Sequence, residues 1–274
     1  MGIKTVRYFL IALLVSMAVG YIFFTPDEEG ASSLLALETE SDTKLTEDGE
    51  VEESGYPSIN IRTVSRETDT YSIYVQVPVF EYDELNEFFG DYAQQIMNEF
   101  FHEMEDIGRV NSEIRGNLSL KVDVYPAGDD LYSIVFNEET FTGGASVNQR
   151  TKVWVVDLTE GELVDRTTFF KDPREAQEVL FPMIEQKLKD SQYYSPYILE
   201  DELDQWLAQT DYYFQNMFIR DGHLVFKFNK YEVLAGVAGT PEVEILISDV
   251  EDLFKDEWLE RIRVEDESLN DFYM

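Results

Sequence analysis

The sequence contains no cysteine, and this absence removes several kinds of site at once. Disulfides, iron–sulfur clusters, cysteine-based zinc sites, thiol nucleophiles and anchoring through a lipidated N-terminal cysteine are all excluded. Histidine is also scarce, because His102 and His223 are the two in 274 residues. Two isolated imidazoles cannot supply the clustered ligands of a metal-dependent hydrolase, and His223 lies in a predicted tight turn that suits a catalytic base poorly. No metal site is expected.

Basic residues are few, with 21 Lys and Arg against 56 Asp and Glu, a formal net charge of −35. Such a chain repels nucleic acid and anionic lipid and attracts cationic proteins, so no nucleic-acid partner is expected. Solubility or adaptation to salt explains the same acidity. The 44% of apolar residues, with 19 Phe and 16 Tyr, can fill a core.

Nucleotide-binding motifs are missing, since no GxxxxGK[ST] and no GxGxxG after a strand occurs. No cofactor is therefore expected. Among 56 acidic residues, carboxylate pairs meet by chance, so a pair of the kind that hydrolyses glycosides carries little weight. We predict a binding protein, with an acidic carbohydrate hydrolase as the enzymatic alternative.

The N-terminal segment predicts export. Lys4 and Arg7 precede an uncharged apolar run over residues 8–24. This run is just long enough for a membrane helix, with its basic flank in the cytoplasm and the folded region outside. Residues 1–26 are therefore interpreted as a single-pass membrane anchor. A signal peptide cleaved after residues 16–18 (Ser-Met-Ala), giving a secreted protein, is the alternative.

Residues 27–56 predict an acidic disordered stalk, because they hold 11 acidic residues, one basic residue and few bulky apolar ones. Removing the −10 of this stalk and the +2 of the anchor from −35 leaves −27 on residues 57–274. The folded region is thus strongly acidic in its own right.

The periodicity of the folded region predicts an α+β fold, with antiparallel sheets packed on two main helices. One helix begins at Asp83 and carries an apolar stripe that includes Phe88. The second spans Pro173 to Lys189, with Val179, Leu180, Met183, Ile184 and Leu188 facing inward. A hairpin turns at Asp221-Gly222. The predicted subdomains are 57–130 and 131–262, followed by an acidic tail at 263–274.

Gly143-Gly144 lies in FTGGASVNQRTKVWVVDL, between two predicted strands. The pair lacks the lysine and the following helix that a phosphate-binding loop needs. It therefore predicts a chain reversal with positive φ, and valine at Gly144 is expected to destabilise the fold.

The stretch FTGGASVNQRTKVWVVDLTEGELVDRTTFF resembles the start of the C-terminal domain of RsiV-type, lysozyme-binding anti-sigma factors. NMFIRDGHLVFKFNKYEVLAGVAGTPEVEILISDVEDLF resembles the closing hairpin and glycine-bearing loop of that domain. Residues 58–126 resemble the smaller domain that precedes it. The same pair precedes the catalytic domain in PdaC-type peptidoglycan deacetylases. The resemblance implies an extracytoplasmic binding region.

The chain departs from this pattern at informative positions. Ser146 stands where family members commonly carry histidine, and Leu234-Ala235-Gly236 replaces Ala-Pro-Tyr. Neither a cytoplasmic sigma-binding segment nor a deacetylase domain is recognisable. The resemblance therefore implies ligand binding without either of the family's outputs.

The predicted ligand is lysozyme or another cationic cell-wall-related protein. The alternative is that the chain is a peptidoglycan-binding accessory module for a separate cell-wall enzyme. Both interpretations place binding in surface loops, although the tyrosines among them also suit ordinary packing. The candidate binding residues are Thr142, Gly143, Gly144, Ala145, Ser146, Tyr193, Tyr194, Tyr197, Gly236 and Gly239.

Overall fold

The computed structural model describes residues 49–108, 113–209 and 214–262. The strands are β1 (Glu50–Tyr56), β2 (Ile59–Glu67), β3 (Tyr71–Phe80), β4 (Gly116–Gly128), β5 (Leu131–Phe141), β6 (Asn148–Asp157), β7 (Glu162–Leu163), β8 (Met217–Arg220), β9 (His223–Lys227) and β10 (Glu242–Leu246). The helices are α1 (Asp83–Gly108), α2 (Pro173–Asp190), α3 (Glu200–Leu207) and α4 (Asp256–Ile262).

The predicted anchor (1–26), the predicted tail (263–274) and most of the predicted stalk lie outside the described residues. Within the three described ranges, no helix combines the length and the apolar character needed to cross a bilayer.

Strands β1 to β7 form one sheet in which the spatial order equals the chain order. Neighbouring strands pair antiparallel except β3 and β4, which are parallel. The parallel pair exists because α1 carries the chain back to the starting end of the sheet, as a parallel connection requires. The antiparallel prediction therefore fails at this one pair of the sheet.

The second sheet of the described region has the order β10-β9-β8. Its β8–β9 hairpin turns at Asp221 and Gly222, whose φ values are 48° and 71°. Positive φ at both central residues is the geometry of a two-residue hairpin turn whose twist matches its strands. The predicted hairpin is confirmed.

One core lies between α1 and the large sheet. The apolar stripe of α1 buries Leu85, Phe89, Ile96 and Phe100 against strand residues, as its three- and four-residue spacing predicts. Phe88 departs from the stripe and is 38% exposed, with its ring edge-on to Trp154.

A second core packs α2, α3 and the small sheet together. Helix α2 begins at Pro173, as predicted, behind Asp172, which accepts a hydrogen bond from the Arg174 backbone N–H at 2.9 Å. Its buried face contains Leu180, Ile184 and Leu188.

The prediction that Val179 faces inward on α2 is wrong, since this side chain is exposed. It lies one residue, about 100° of helical rotation, from the buried line that runs through Ala176, Leu180 and Ile184. Phe181 takes the inward place instead, because its ring stacks on Trp206 at a centroid separation of 4.4 Å.

Strand β1 corrects the predicted end of the stalk. Residues 50–56 pair antiparallel with β2, and Tyr56 contacts Tyr132 edge-on at 5.8 Å. The backbone ladder supplies order that the acidic composition of this segment does not predict.

The described residues thus form an α+β fold, as predicted. The predicted subdomain boundary at residue 130 coincides with the β4–β5 turn, where Asp130 has φ 52°. Strands on both sides of this turn belong to the same sheet, so the sheet continues across the boundary.

Candidate binding surface and cavity

The predicted Thr142–Ser146 loop connects β5 to β6, as expected for a chain reversal. Gly143 has φ 104°, and a Cβ placed there would lie 2.6 Å from Ile114 Cδ1. A Cβ at Gly144 would meet only the Ser146 carbonyl oxygen at 3.9 Å, an ordinary contact, and this glycine needs no positive φ. The conformational requirement therefore falls on Gly143, and the expectation that valine at Gly144 destabilises the fold loses its structural basis.

Lys230 joins this loop to the segment that follows β9. Its Nζ donates to the Val147 carbonyl at 2.8 Å, and its backbone N–H donates to the Gln149 carbonyl at 3.3 Å. The same Nζ lies 5.5 Å from the ring centroid of Tyr231. Val147, which directly follows the predicted 142–146 loop, is thus joined through Lys230 to the neighbourhood of the Tyr231 ring.

Tyr231 connects Lys230 to the glycine-bearing loop. It has φ 69° and a side chain that is 57% exposed. Its ring lies so close to Gly236 that any Cβ at this glycine would overlap it. The Tyr231 ring therefore packs directly on the Gly236 backbone, which has room for it only because Gly236 lacks a side chain. Gly239, with φ 70°, ends the short 3-10 turn that begins at Gly236.

The tyrosine-containing loop meets the same glycine-bearing loop. The backbone N–H of Ala235 donates to the Tyr197 carbonyl at 2.7 Å, and Ile198 forms an isolated bridge with Leu234. The three predicted segments, distant in sequence, therefore occupy one region of the surface.

Among the predicted tyrosines, Tyr193 and Tyr197 are exposed, whereas Tyr194 is half-buried and packs against the second core. The Tyr194 hydroxyl accepts a hydrogen bond from the Glu242 backbone N–H at 3.4 Å. Tyr194 therefore has a packing role, which is the alternative interpretation of the tyrosines in this loop.

We call the exposed apolar side chains of these segments the tyrosine surface; they are Val147, Tyr193, Tyr197, Tyr231 and Val237. Tyrosine offers a broad apolar ring face together with a hydroxyl for hydrogen bonding. This combination suits ligands that present both apolar faces and polar edges.

A cavity of about 70 Å³ lies among β6, α2 and α3, and the segment that follows β9 contributes Asn229 and Glu232 to its wall. We call it the amide cavity; its walls include Thr151, Phe181, Trp206, Asn216, Asn229 and Glu232. Sequence reasoning missed it, because its walls come from five separate parts of the chain.

Two polar atoms of the amide cavity, Thr151 Oγ1 and Asn216 Nδ2, are buried without a hydrogen-bond partner in the protein. By contrast, the Asn229 carboxamide oxygen accepts from the Thr151 backbone N–H at 2.6 Å, and Glu232 accepts from the Asn229 backbone N–H at 2.6 Å. Burial raises the pKa of Glu232, although its hydrogen bond from the Asn229 N–H opposes this effect. The cavity thus has a rigid, internally bonded frame and two free polar positions.

The buried carboxylate of Glu138 does not form an acid–base pair with Glu99. Arg150 Nη2 binds Glu138 at 2.7 Å and Glu99 at 3.4 Å, and Thr140 Oγ1 donates to Glu138 at 2.9 Å. Burial, together with the nearby Glu138, raises the pKa of the Tyr92 hydroxyl. Arg150 thus compensates the buried charge of Glu138 between α1 and the large sheet, and this arrangement serves the fold.

Metal ligation gains no support from the described ranges, in which no three Asp, Glu or His side chains are grouped to hold an ion.

Comparison with known proteins finds one matching family and solved structures with a similar fold. Residues 167–248 match the family described as a protein of unknown function (DUF3298). A DUF3298 family member from Bacteroides fragilis superposes with a TM-score of 0.53 at 14% identity, over 79% of this chain and 99% of the other. A DUF3298 family protein from Pseudomonas aeruginosa gives a TM-score of 0.51 at 15% identity, over 72% and 95%. These structures share the fold of this chain.

The chain is also similar to the peptidoglycan-N-acetylmuramic acid deacetylase PdaC of Bacillus subtilis, at 22% identity over 262 residues. The match covers 95% of this chain and 53% of PdaC, so the chain spans about half the length of this relative. The part of the resemblance that concerns PdaC-type proteins is confirmed as sequence similarity, and the RsiV-type relationship stays a prediction.

Proposed function

We propose that this protein is a non-catalytic, cell-wall glycan-binding module that binds through the tyrosine surface. The observation that carries the proposal is that the loop with the exposed Tyr193 and Tyr197 is hydrogen-bonded, through the Tyr197 carbonyl and the Ala235 N–H, to the segment with the exposed Tyr231. Tyrosine rings can pack on the apolar faces of sugar rings while their hydroxyls meet the polar edges. Similarity to PdaC, whose name states an activity on peptidoglycan, supports this class of ligand.

The charge of the chain argues for a neutral or cationic ligand. A formal charge of −35 repels polyanions over long distances, whereas neutral sugar chains meet no such barrier. Binding of a neutral glycan through ring faces should change little with salt, because it does not depend on long-range attraction.

The experiment is sedimentation of the full chain with purified peptidoglycan at low salt and at about 0.15 M salt, where screening acts over about 8 Å. We expect retention at both salt concentrations, and a loss of retention in Tyr231→Ala and Tyr197→Ala. Tyr74→Ala is the matched control, since Tyr74 is an exposed tyrosine on β3, outside the tyrosine surface. Equal retention of all variants, or no retention of the wild type, would refute the proposal.

A cationic protein such as lysozyme is the second candidate, and the −27 of residues 57–274 favours it. Electrostatic steering would speed its association and make binding fall steeply with salt. Titration of the full chain with a basic lysozyme at the same two salt concentrations tests this candidate. Saturable binding that persists at the higher salt would support it, and binding that vanishes there would count against a specific complex.

We further propose that residues 8–24 anchor the protein in the cell membrane, with the folded region outside. The basic residues Lys4 and Arg7 on the N-terminal side of the apolar run support this orientation. Protease treatment of intact cells tests it: cleavage of the folded region without lysis is expected. Protection of that region until lysis would reverse the orientation.

A further inference from the structure

The amide cavity has a chemistry that ordinary packing leaves unexplained. Thr151 is only 7% exposed, yet its hydroxyl oxygen lacks a partner, and so does the carboxamide nitrogen of Asn216. A buried polar atom without a hydrogen bond costs about 1–3 kcal/mol, so two such atoms in one cavity require a reason. A ligand that pairs with both would supply it.

Part of the cavity wall is aromatic. Phe181 and Trp206 stack at 4.4 Å with an angle of 30° between their planes, and Trp206 meets Phe228 edge-on at 5.0 Å. The faces of these rings offer no hydrogen-bonding group to a ligand inside the cavity, so its polar partners lie on the other residues of the lining. The cavity therefore suits a group that is apolar on one side and polar on the other.

The charges around the cavity select for a neutral group. Lys152 and Glu232 both line it, and they interact closely enough that the lysine lowers the pKa of the carboxyl. An anion would face the Glu232 carboxylate and a cation would face the Lys152 ammonium. A neutral group meets neither penalty.

The volume of the amide cavity limits the size of the group that it can hold. One water needs roughly 10–15 Å³ by the measure that gives this cavity about 70 Å³, so the space holds a group of at most about five to seven heavy atoms. Lys152, Gln209 and Gln215 are exposed parts of the lining, so the cavity is reached from solvent.

We propose that the amide cavity binds the acetamido group of an N-acetylated sugar. The group has four heavy atoms: its carbonyl oxygen accepts from Asn216 Nδ2, its N–H donates to Thr151 Oγ1, and its methyl packs against Trp206. This inference rests on the proposed glycan-binding function and names the chemical group that distinguishes the glycan. The tyrosine surface supplies area for binding, and the cavity supplies the selectivity.

The test is calorimetric titration of the full chain with two neutral oligosaccharides, chitotetraose and cellotetraose. The two share their linkage, and chitotetraose carries acetamido groups where cellotetraose carries hydroxyls. We expect the wild type to bind chitotetraose at least about ten-fold more tightly, since a site built to hydrogen-bond a group rejects an analogue without it.

Thr151→Val separates a binding role from a structural one. It keeps the shape of the side chain and removes a hydroxyl that has no protein partner, so thermal stability should stay equal or rise. The preference for chitotetraose should fall about ten-fold. Thr63→Val on β2 is the matched control and should keep the preference. Asn216→Ala is a second variant with the same expected loss.

Each outcome decides the inference. Preserved preference in both Thr151→Val and Asn216→Ala would mean that the cavity holds water alone, and the inference would be wrong while glycan binding stands. Equal affinity of the wild type for the two oligosaccharides, reduced by Tyr231→Ala, would likewise overturn the inference and leave glycan binding intact. If the wild type binds neither the oligosaccharides nor peptidoglycan, the proposed function itself fails.

Discussion

The hydroxyl of Ser133 on β5 bonds both backbone groups of Ile219 on β8. Ser133 Oγ donates to the Ile219 carbonyl at 2.7 Å and accepts from the Ile219 N–H at 3.0 Å. Ser133 and Ile219 are both buried. β8 is the edge strand of the small sheet, so this side chain completes the hydrogen bonding of its outer side and joins the two sheets.

Ser133→Ala should therefore destabilise the protein by about 2 kcal/mol, because it leaves a buried N–H and a buried carbonyl unpaired. Urea unfolding followed by tryptophan fluorescence measures this loss. Ser65→Ala, at an exposed position of β2, should stay within about 0.5 kcal/mol of the wild type. Equal effects of the two substitutions would contradict the role of Ser133.

Arg261 on α4 holds the end of β6 through Asp157. Its Nη1 and Nη2 donate to the Asp157 carboxylate at 2.5 and 2.9 Å, and its backbone carbonyl accepts from the Asp129 N–H at 2.9 Å. Burial alone would raise the pKa of Asp157, but the hydrogen bonds from Arg261 and the Thr159 N–H hold it below its ordinary value.

Because the pKa of Asp157 is lower in the folded state, its ionised form contributes stability above the unfolded pKa of about 3.9. This contribution is lost as pH falls through the folded-state pKa. Asp157→Asn should cost about 2 kcal/mol at pH 7 and flatten the loss of stability below about pH 4. Urea unfolding between pH 7 and pH 2 measures both effects. The exposed Asp69→Asn is the control, and an unchanged acid profile in Asp157→Asn would rule out this linkage.

The adjacent Gly143 and Gly144 should respond differently to alanine. Gly143→Ala forces a side chain into φ 104° and within 2.6 Å of Ile114 Cδ1, so we expect a loss of about 1–3 kcal/mol. Gly144→Ala should change stability by less than about 0.5 kcal/mol, since the added Cβ would meet no atom closer than 3.9 Å. Thermal and urea unfolding of the pair tests the assignment, and the reverse order of stabilities would overturn it.

Arg166 fastens residues 215–217 to β6. Its Nη1 donates to the carbonyls of Gln215 at 2.7 Å and Val153 at 2.8 Å, with Met217 more distant at 3.4 Å. Burial lowers the pKa of Arg166 to about 10, which leaves the guanidinium charged at neutral pH.

Arg166→Met should cost about 2–4 kcal/mol, because carbonyls bonded to a charged donor lose their partner. Urea unfolding at pH 7 measures the loss. Arg174→Met on the exposed face of α2 is the control and should change stability by less than about 1 kcal/mol, as expected for the partner of a surface ion pair. Similar losses of unfolding free energy in the two variants would show that the carbonyl contacts of Arg166 do not stabilise the fold more than a surface ion pair does.

Local patterns predicted the regular elements well. The stripe of α1, the start of α2 and the Asp221-Gly222 turn each depend on residues within a few positions of one another, so sequence alone constrains them. The wrong prediction at Val179 is also local, since a shift of one residue along a helix separates an exposed side chain from a buried one.

Tertiary features escaped prediction for a different reason. The amide cavity brings Thr151, Asn216 and Asn229 together from distant positions, and no spacing in the sequence records that approach. Gly143 has no room for a side chain because Ile114, a residue that precedes β4, packs against it. By contrast, the predicted binding loops are exposed connections, as their glycines and tyrosines indicate, and the contacts that bring them together have no signal in the sequence.

The chain order of strands β1 to β7 bears on how the protein acquires its structure. Each strand after β1 pairs with the strand that directly precedes it in the chain. Except at the β3–β4 crossover through α1, the loops to be closed are short, so their entropic cost is small. The core beneath α1 draws on residues between Ile59 and Leu158, ahead of the segment that forms α2 and the small sheet. A chain delivered from its N-terminus can therefore complete this first core before the residues of α2 and the small sheet emerge.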